Sequence, residues 1–392
     1  MEQTLAVNKI ETSTNLFSEF KILESPKYGF LDKNDERFLI AIPWIGAALT
    51  VGLWLVAKVG YAFQITDLPV LLSTLLFLDS VHILFTFTLM LSSPELRAWN
   101  AAPGARAKTG WMKGLSPWAR TFVIAIALGI VIYLLKAAPY VSTLKGMATM
   151  WLFLELLGPA HHTLAQMRGI SLVYNSTLKK NIEFSASEKT QALRCEKLER
   201  LFFNLLLAGE IFYWIPTIFG MDKLEVPGMD TIRFVGGILA VGSATALVVN
   251  SLYFPHQEKS RKFAFIFRVL LFPLKMLSIV GGIFVRAAHG TEYLIIFRKM
   301  AKSSNMPKPK KKHLFMMTIG VSLAYLIPYV LTWPNVVKDV IGYSVSDSIF
   351  AAAIVGTFTL RFTHYYLDAV MFKMSDPTTR LAVSPLLASN QS

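Results

Sequence analysis

FAFIFRVLLFPLKMLSIVGGIFVRAAHGTEYLIIFRKM, residues 263–300, is the stretch that decides the topology of this chain. It contains no polar loop, is broken by Gly281-Gly282, and carries Arg268, Lys275 and Arg286 inside an apolar run. A run of about 18 or more apolar residues is long enough to cross a bilayer core. The stretch therefore reads as one long tilted helix, as a helix with a re-entrant piece, or as two crossings. The flanking loops select among these, because cytoplasmic loops collect Lys and Arg.

Working outward, 301–312 carries Lys302, Lys308, Lys310, Lys311 and Lys312, and 255–262 carries Lys259, Arg261 and Lys262. The connections 93–117 and 171–199 are also rich in Lys and Arg. The alternate connections are poor: Lys145 stands alone in 138–145, Lys223 in 220–232 and Lys338 in 334–348. Two crossings within 263–300 put every basic loop on one side of a membrane. The expected crossings are 38–63, 67–92, 118–137, 146–170, 200–219, 233–254, 263–281, 282–300, 313–333 and 349–373. The fold class is then all-α, a polytopic transmembrane bundle of ten crossings, or nine if 263–300 is a single helix.

A composition 54% hydrophobic over 392 residues favours one integral membrane domain, 38–373, over a soluble one. Residues 1–37 are polar and mixed in charge and read as a cytoplasmic arm, with no apolar core for a cleavable signal peptide. Residues 374–392 read as a cytoplasmic tail, so both termini face the cytoplasm. The net charge of +14 is mainly an orientation signal. The run Pro-Lys-Pro-Lys-Lys-Lys at 307–312 resembles a nuclear address, but between two spans it marks the cytoplasmic side, and no nucleic-acid module is present. The lone Cys195 lies in a charged segment and cannot form an intramolecular disulfide.

Four of the apolar stretches carry a histidine and a carboxylate on one helical face. Residues three, four or seven apart share a face. The pairs are Asp79 with His82, Glu155 with His162, His289 with Glu292, and His364 with Asp368. Ionisable groups at membrane depth are costly and usually functional. With ten crossings, all four histidines fall on even-numbered spans and lie within roughly 5 Å of one another in depth, at about 1.5 Å rise per residue. Imidazoles and carboxylates on facing helices hold iron or manganese in helical bundles. All eight residues are therefore candidate metal ligands. His161 points away from the face of His162. Gln166, Glu210, Arg286, Arg361 and Tyr365 are candidate substrate or supporting residues; Glu210 also fits a helix–helix contact.

There is no phosphate-cradling glycine loop, no C-x-x-C, no H-E-x-x-H and no G-x-S-x-G. The motifs Asp79-Ser-Val-His82, His161-His162-Thr-Leu-Ala-Gln166, His289-Gly-Thr-Glu292-Tyr and His364-Tyr-Tyr-Leu-Asp368 loosely resemble those of the polytopic membrane-bound non-haem iron oxygenases and desaturases. The H-x-x-x-H and H-x-x-H-H boxes of those families are absent. The resemblance implies an oxidase or oxygenase that uses one or two iron ions on a lipid-like hydrophobic substrate drawn from the membrane lipids. An acidic cytoplasmic electron donor would suit the basic face. Two other classes stay open. One is a zinc-dependent intramembrane hydrolase of lipid amides or esters, similar in its residues to the alkaline ceramidase-like enzymes. The other is a transporter in which the same residues bind an ion or relay protons.

Overall fold

The computed structural model describes residues 33–58, 69–137, 144–218, 227–257, 259–276, 279–331, 347–373 and 376–387. Among them all regular structure is helical. Helices α1 (Lys33–Lys58), α2 (Pro69–Ser92), α3 (Pro94–Ala101), α4 (Pro117–Ala137), α5 (Leu144–Asn181) and α6 (Ala186–Ile218) form the first half. Helices α7 (Met229–Leu252), α8 (Lys259–Leu274), α9 (Ile279–Ser303), α10 (Lys308–Leu331), α11 (Asp347–Met371) and α12 (Pro377–Leu387) form the second. One long helix stands at each of the ten segments expected from the sequence.

The helix starts follow local chemistry. Proline opens α2, α3, α4 and α12, where its missing N–H costs no hydrogen bond. Ser93 caps α3, and the Asp376 carboxylate accepts the Thr379 amide at 2.8 Å to cap α12. At the start of α6, Ser185 and Glu188 form a reciprocal capping box: the Ser185 amide donates to the Glu188 carboxylate at 2.9 Å, and the Glu188 amide donates to the Ser185 hydroxyl.

Residues 263–300 fold as two helices, α8 and α9, packed against each other. The break falls at Lys275, just after Pro273, not at the glycine pair. Proline removes one helical hydrogen bond and crowds the preceding turn, so the helix ends there. Gly281 serves the close approach instead: a Cβ there would lie 2.8 Å from the Leu274 carbonyl oxygen. Helices α6 and α7 meet as tightly, with a Cβ on Gly209 coming within 2.5 Å of the Ala240 nitrogen.

The expected connections 93–117, which holds α3, and 171–199, and the expected tail, contain more structure than a loop. The 171–199 segment is almost entirely helical, because α5 and α6 run on to a short turn. Their far ends pack as a separate small core of Leu178, Phe184, Ala192, Cys195 and Phe254. Cys195 is thus a buried residue of α6, unpaired, with its carbonyl accepting from Asn250 at 2.9 Å. The expected tail forms α12, which packs against α9 and α3, and Trp99 donates to Thr379 at 3.2 Å. The arm 1–37 lies almost wholly outside the described residues.

By length and composition, one helix among the described residues, α7, is long and apolar enough to cross a membrane. Four other apolar helical stretches are shorter: Ile40–Gly52, Val81–Ser92, Pro117–Val131 and Ala264–Leu274. The expectation of ten crossings goes further than this finding. In the α8–α9 region the apolar run is interrupted by Arg268, Lys275, Arg286 and Glu292.

Candidate metal centre

Helices α2, α5, α9 and α11 each contribute one histidine to a common buried cluster. His82 comes from α2, His162 from α5, His289 from α9 and His364 from α11, and none is more than 6% exposed. The Nε2 atoms of His82 and His364 are 3.0 Å apart. The ligand atoms of His82, His162 and His364 all lie within 4.8 Å of one another. The His289 ring packs at 4.7 Å from that of His82 and at 5.2 Å from that of His162, centre to centre.

Asp368, fully buried one turn after His364, brings its Oδ2 to 3.3 Å from His364 Nε2 and 3.9 Å from His162 Nε2. The same oxygen accepts a hydrogen bond from the Gln166 side chain. Gln166 and His162 share a face of α5, so one helix supplies both a ring and the group that orients the carboxylate. Tyr365 stacks on His162 at 3.9 Å. Tyr293 packs 4.9 Å from His289 and 6.0 Å from His82. Sequence reasoning passed over Tyr293, although it lies four residues after His289 and so shares its face.

The donor set fits a metal ion. The His82 and His364 Nε2 atoms, 3.0 Å apart, share a hydrogen bond when one ring carries the proton there, and a cation bound by both rings would replace that proton. His162 Nε2, on the side of Asp368, is buried without a hydrogen-bond partner among the described residues. Buried polar atoms are normally partnered, and a cation shared among imidazole lone pairs would meet that need. Three buried histidines, His82, His162 and His364, lie close enough to hold one ion.

The other candidates fall elsewhere. Glu292, expected as a ligand, forms an ion pair with Arg268 of α8. The fold-back of α8 on α9 places a guanidinium beside it, and a charge-assisted pair of that kind holds the carboxylate strongly. Glu210 pairs with Lys275 at the end of α8, in the α6–α8 contact region and not among the rings. Arg361 is buried one turn before His364, and Arg286 is half-buried on α9. His161 is exposed. The side chains of Asp79 and Glu155 lie outside the described residues.

No family model, curated protein or solved structure matches the chain.

Proposed function

We propose that this protein is a membrane-embedded, metal-dependent oxidase or oxygenase acting on a hydrophobic, lipid-like substrate. The observation that carries the reading is the four-histidine cluster with Asp368, buried where four helices meet. Iron held by His82, His162 and His364, with Asp368 and His289 beside them, would supply the redox chemistry for dioxygen. Hydroxylation in such a site joins one oxygen atom of O2 to a substrate carbon. The other oxygen leaves as water, using two electrons from a donor and two protons.

Membrane residence is supported by the faces of the long helices. Trp44 and Leu55 on α1, Phe122 and Ile130 on α4, and Phe234 and Ile238 on α7 are each about half exposed or more. Such belts would be costly in water and are the natural face toward lipid. An apolar substrate arriving through the bilayer would reach the centre without entering water. The roles of the chain's own groups follow from placement. Gln166 orients Asp368, Tyr365 and Tyr293 fix the ring planes, and Arg361 is buried one turn before His364.

One observation favours a zinc-dependent hydrolase as the second reading. Among the described residues a single carboxylate, Asp368, contacts the rings, and three histidines with an open position suffice for a catalytic zinc. Elemental analysis of detergent-purified protein separates the two. The oxidase reading expects iron, and oxygen uptake with reductant and a lipid extract that stops in His364→Ala. Stoichiometric zinc with turnover that persists without oxygen would establish the hydrolase.

A further inference from the structure

The two most exposed large apolar side chains among the described residues are Leu381, 76% exposed, and Trp111, 74%. Trp111 stands in the basic connection 93–117, between Lys108 and Lys113, and Leu381 follows Arg380 on α12; all three cations are exposed. A single exposed apolar residue is ordinary. A tryptophan and a leucine set among cations have the composition of a membrane–water interface, where Trp sits at headgroup level and Lys and Arg meet anionic lipid.

The loop that carries Trp111 is built to hold it in place. Residues 105–116 contain Arg106, Lys108 and Lys113 and no carboxylate. The Ala107 amide donates to the Leu115 carbonyl at 3.0 Å, and the Gly114 amide donates back to the Ala107 carbonyl at 2.9 Å. Above that closed base the Lys113 amide donates to the Gly110 carbonyl at 3.1 Å. Gly110 and Gly114 take φ of 82° and 81°, which a side chain would strain although a Cβ at either meets nothing within 4 Å. The tip is fixed before any partner arrives, so little conformational freedom is lost on docking.

The loop also lies level with the start of the apolar face of α4. Arg120, in the first turn of α4, donates to the Ala105 carbonyl at 2.8 Å, and the Trp118 amide donates to the Asn100 side chain at 2.7 Å. Both bonds tie the ends of the loop to that first turn. Phe122, 67% exposed, and Ile126 follow on the outer face of the helix. Helix α12 rests beside the loop: a Cβ on Gly104 would lie 2.6 Å from the Thr378 hydroxyl. It buries Thr379 and Val383 and leaves Arg380 and Leu381 outward. Asp376, the carboxylate at its start, is taken up in capping the helix through Thr379.

We infer that loop 105–116 and α12 dock on anionic phospholipid headgroups, with Trp111 and Leu381 as apolar anchors and Lys108, Lys113 and Arg380 on the phosphates. The inference rests on the membrane residence proposed above and is independent of the reaction. The cations are drawn to the negative surface potential of the leaflet, and the two apolar side chains leave water for the boundary between headgroups and acyl chains. An acidic protein would suit the same charges, but the tie of the loop to the first turn of α4, where the apolar face begins, favours lipid.

The test reads depth on the whole chain, in nanodiscs of phosphatidylcholine with phosphatidylglycerol. In a Cys195→Ser background one nitroxide is placed at Thr109→Cys, beside the tip, and another at Lys189→Cys, exposed on α6 in the hairpin that α5 and α6 extend past the expected crossings. Power saturation compares oxygen, which concentrates in lipid, with a chelated nickel complex, which stays in water. The label at Thr109→Cys should favour oxygen and the one at Lys189→Cys nickel. Equal nickel access at both would overturn the inference. In phosphatidylcholine alone, or with Lys108→Gln and Lys113→Gln together, the ratio of docked to free loop should fall at least about tenfold. A loop equally shielded in neutral lipid would overturn the role of the headgroup charge, and one shielded only when an acidic protein is added would overturn the lipid assignment. Protein released from membranes by alkaline carbonate would defeat the proposed embedding, and the same label read on added phosphatidylglycerol vesicles would still decide the docking.

Discussion

The four-histidine cluster and the Lys275–Glu210 pair are both buried and polar, and they are built on different rules. At Lys275–Glu210 each charge meets its opposite, and Tyr213 ties the same end of α8 by donating to the Met276 carbonyl at 3.0 Å. Arg268–Glu292 repeats that pattern about two turns earlier on α8. At those sites charge is offset by opposite charge from a neighbouring helix. In the cluster, four rings of one kind face each other, and among the described residues a single carboxylate stands with them and several ring nitrogens have no hydrogen-bond partner. Opposite charges brought together lock helices. Like donors brought together can form a receptor, because facing lone pairs repel unless a proton or a metal cation sits between them. The difference separates buried polar groups that tie helices together from those placed close enough to hold an ion.

The largest effect should come from removing a ring. His82→Ala and His364→Ala should each strip the metal almost completely while helical circular dichroism is retained. Stability should fall with the metal, by about 4 kcal/mol where free metal exceeds Kd a thousandfold. Full metal occupancy in either variant would break the comparison at its centre.

Breaking the Lys275–Glu210 pair should do the reverse, lowering stability and sparing the metal. Lys275→Met leaves Glu210 buried and uncompensated, a change that costs about 3–5 kcal/mol. Adding Glu210→Gln should restore most of that loss. Metal content should stay at the wild-type level in both, read by elemental analysis beside denaturation curves. Metal loss in Lys275→Met would show that the two regions are coupled.

Gln166 sharpens the contrast from the receptor side. It touches no ring in the manner of a ligand but bonds Asp368. Gln166→Leu should weaken metal binding about 10–100-fold, the usual effect of losing a group that orients a ligand. Titration with competing chelators measures it. Saturating metal should restore occupancy, which it cannot do in the histidine variants.

The smallest effect belongs to Glu95, a third kind of polar contact, at the surface. Partial burial pushes its carboxyl up. Hydrogen bonds from the Ser304 and Ser93 hydroxyls and the Asn305 amide outweigh this and bring its pKa from 4.5 down to about 2. The sign follows from the lowered value. The contribution to stability is present above pH 4.5 and is lost as pH falls toward 2. Glu95 is half-buried at the surface, and solvent screening holds the effect to about 1 kcal/mol. Glu95→Gln should flatten the acid limb of the stability curve by that amount and leave the neutral region unchanged. An unaltered acid limb would show that the hydrogen bonds from Ser304 and Asn305 to Glu95 are without consequence.

The sequence by itself determined where the ten long helices lie. Apolar runs and N-terminal prolines act over one or two turns, and each helix satisfies its own backbone through bonds four residues apart. It also determined which faces carry histidine and carboxylate, since spacing along one helix is a local property. The gathering of His82, His162, His289, His364 and Asp368 was legible as far as even parity and common depth could carry it. Tertiary structure alone decided the rest. Residues 263–300 turn back at Lys275, so Arg268 comes to stand beside Glu292 and takes it from the expected ligand set. Gln166 reaches Asp368 across 202 positions of sequence, and Tyr293 lies under two rings. Segment 377–387 docks as a helix on α3 and α9. Such choices depend on which faces meet across long loops. A charged side chain takes the nearest partner of opposite sign, and nearness between helices is set by packing, which no local run of residues encodes.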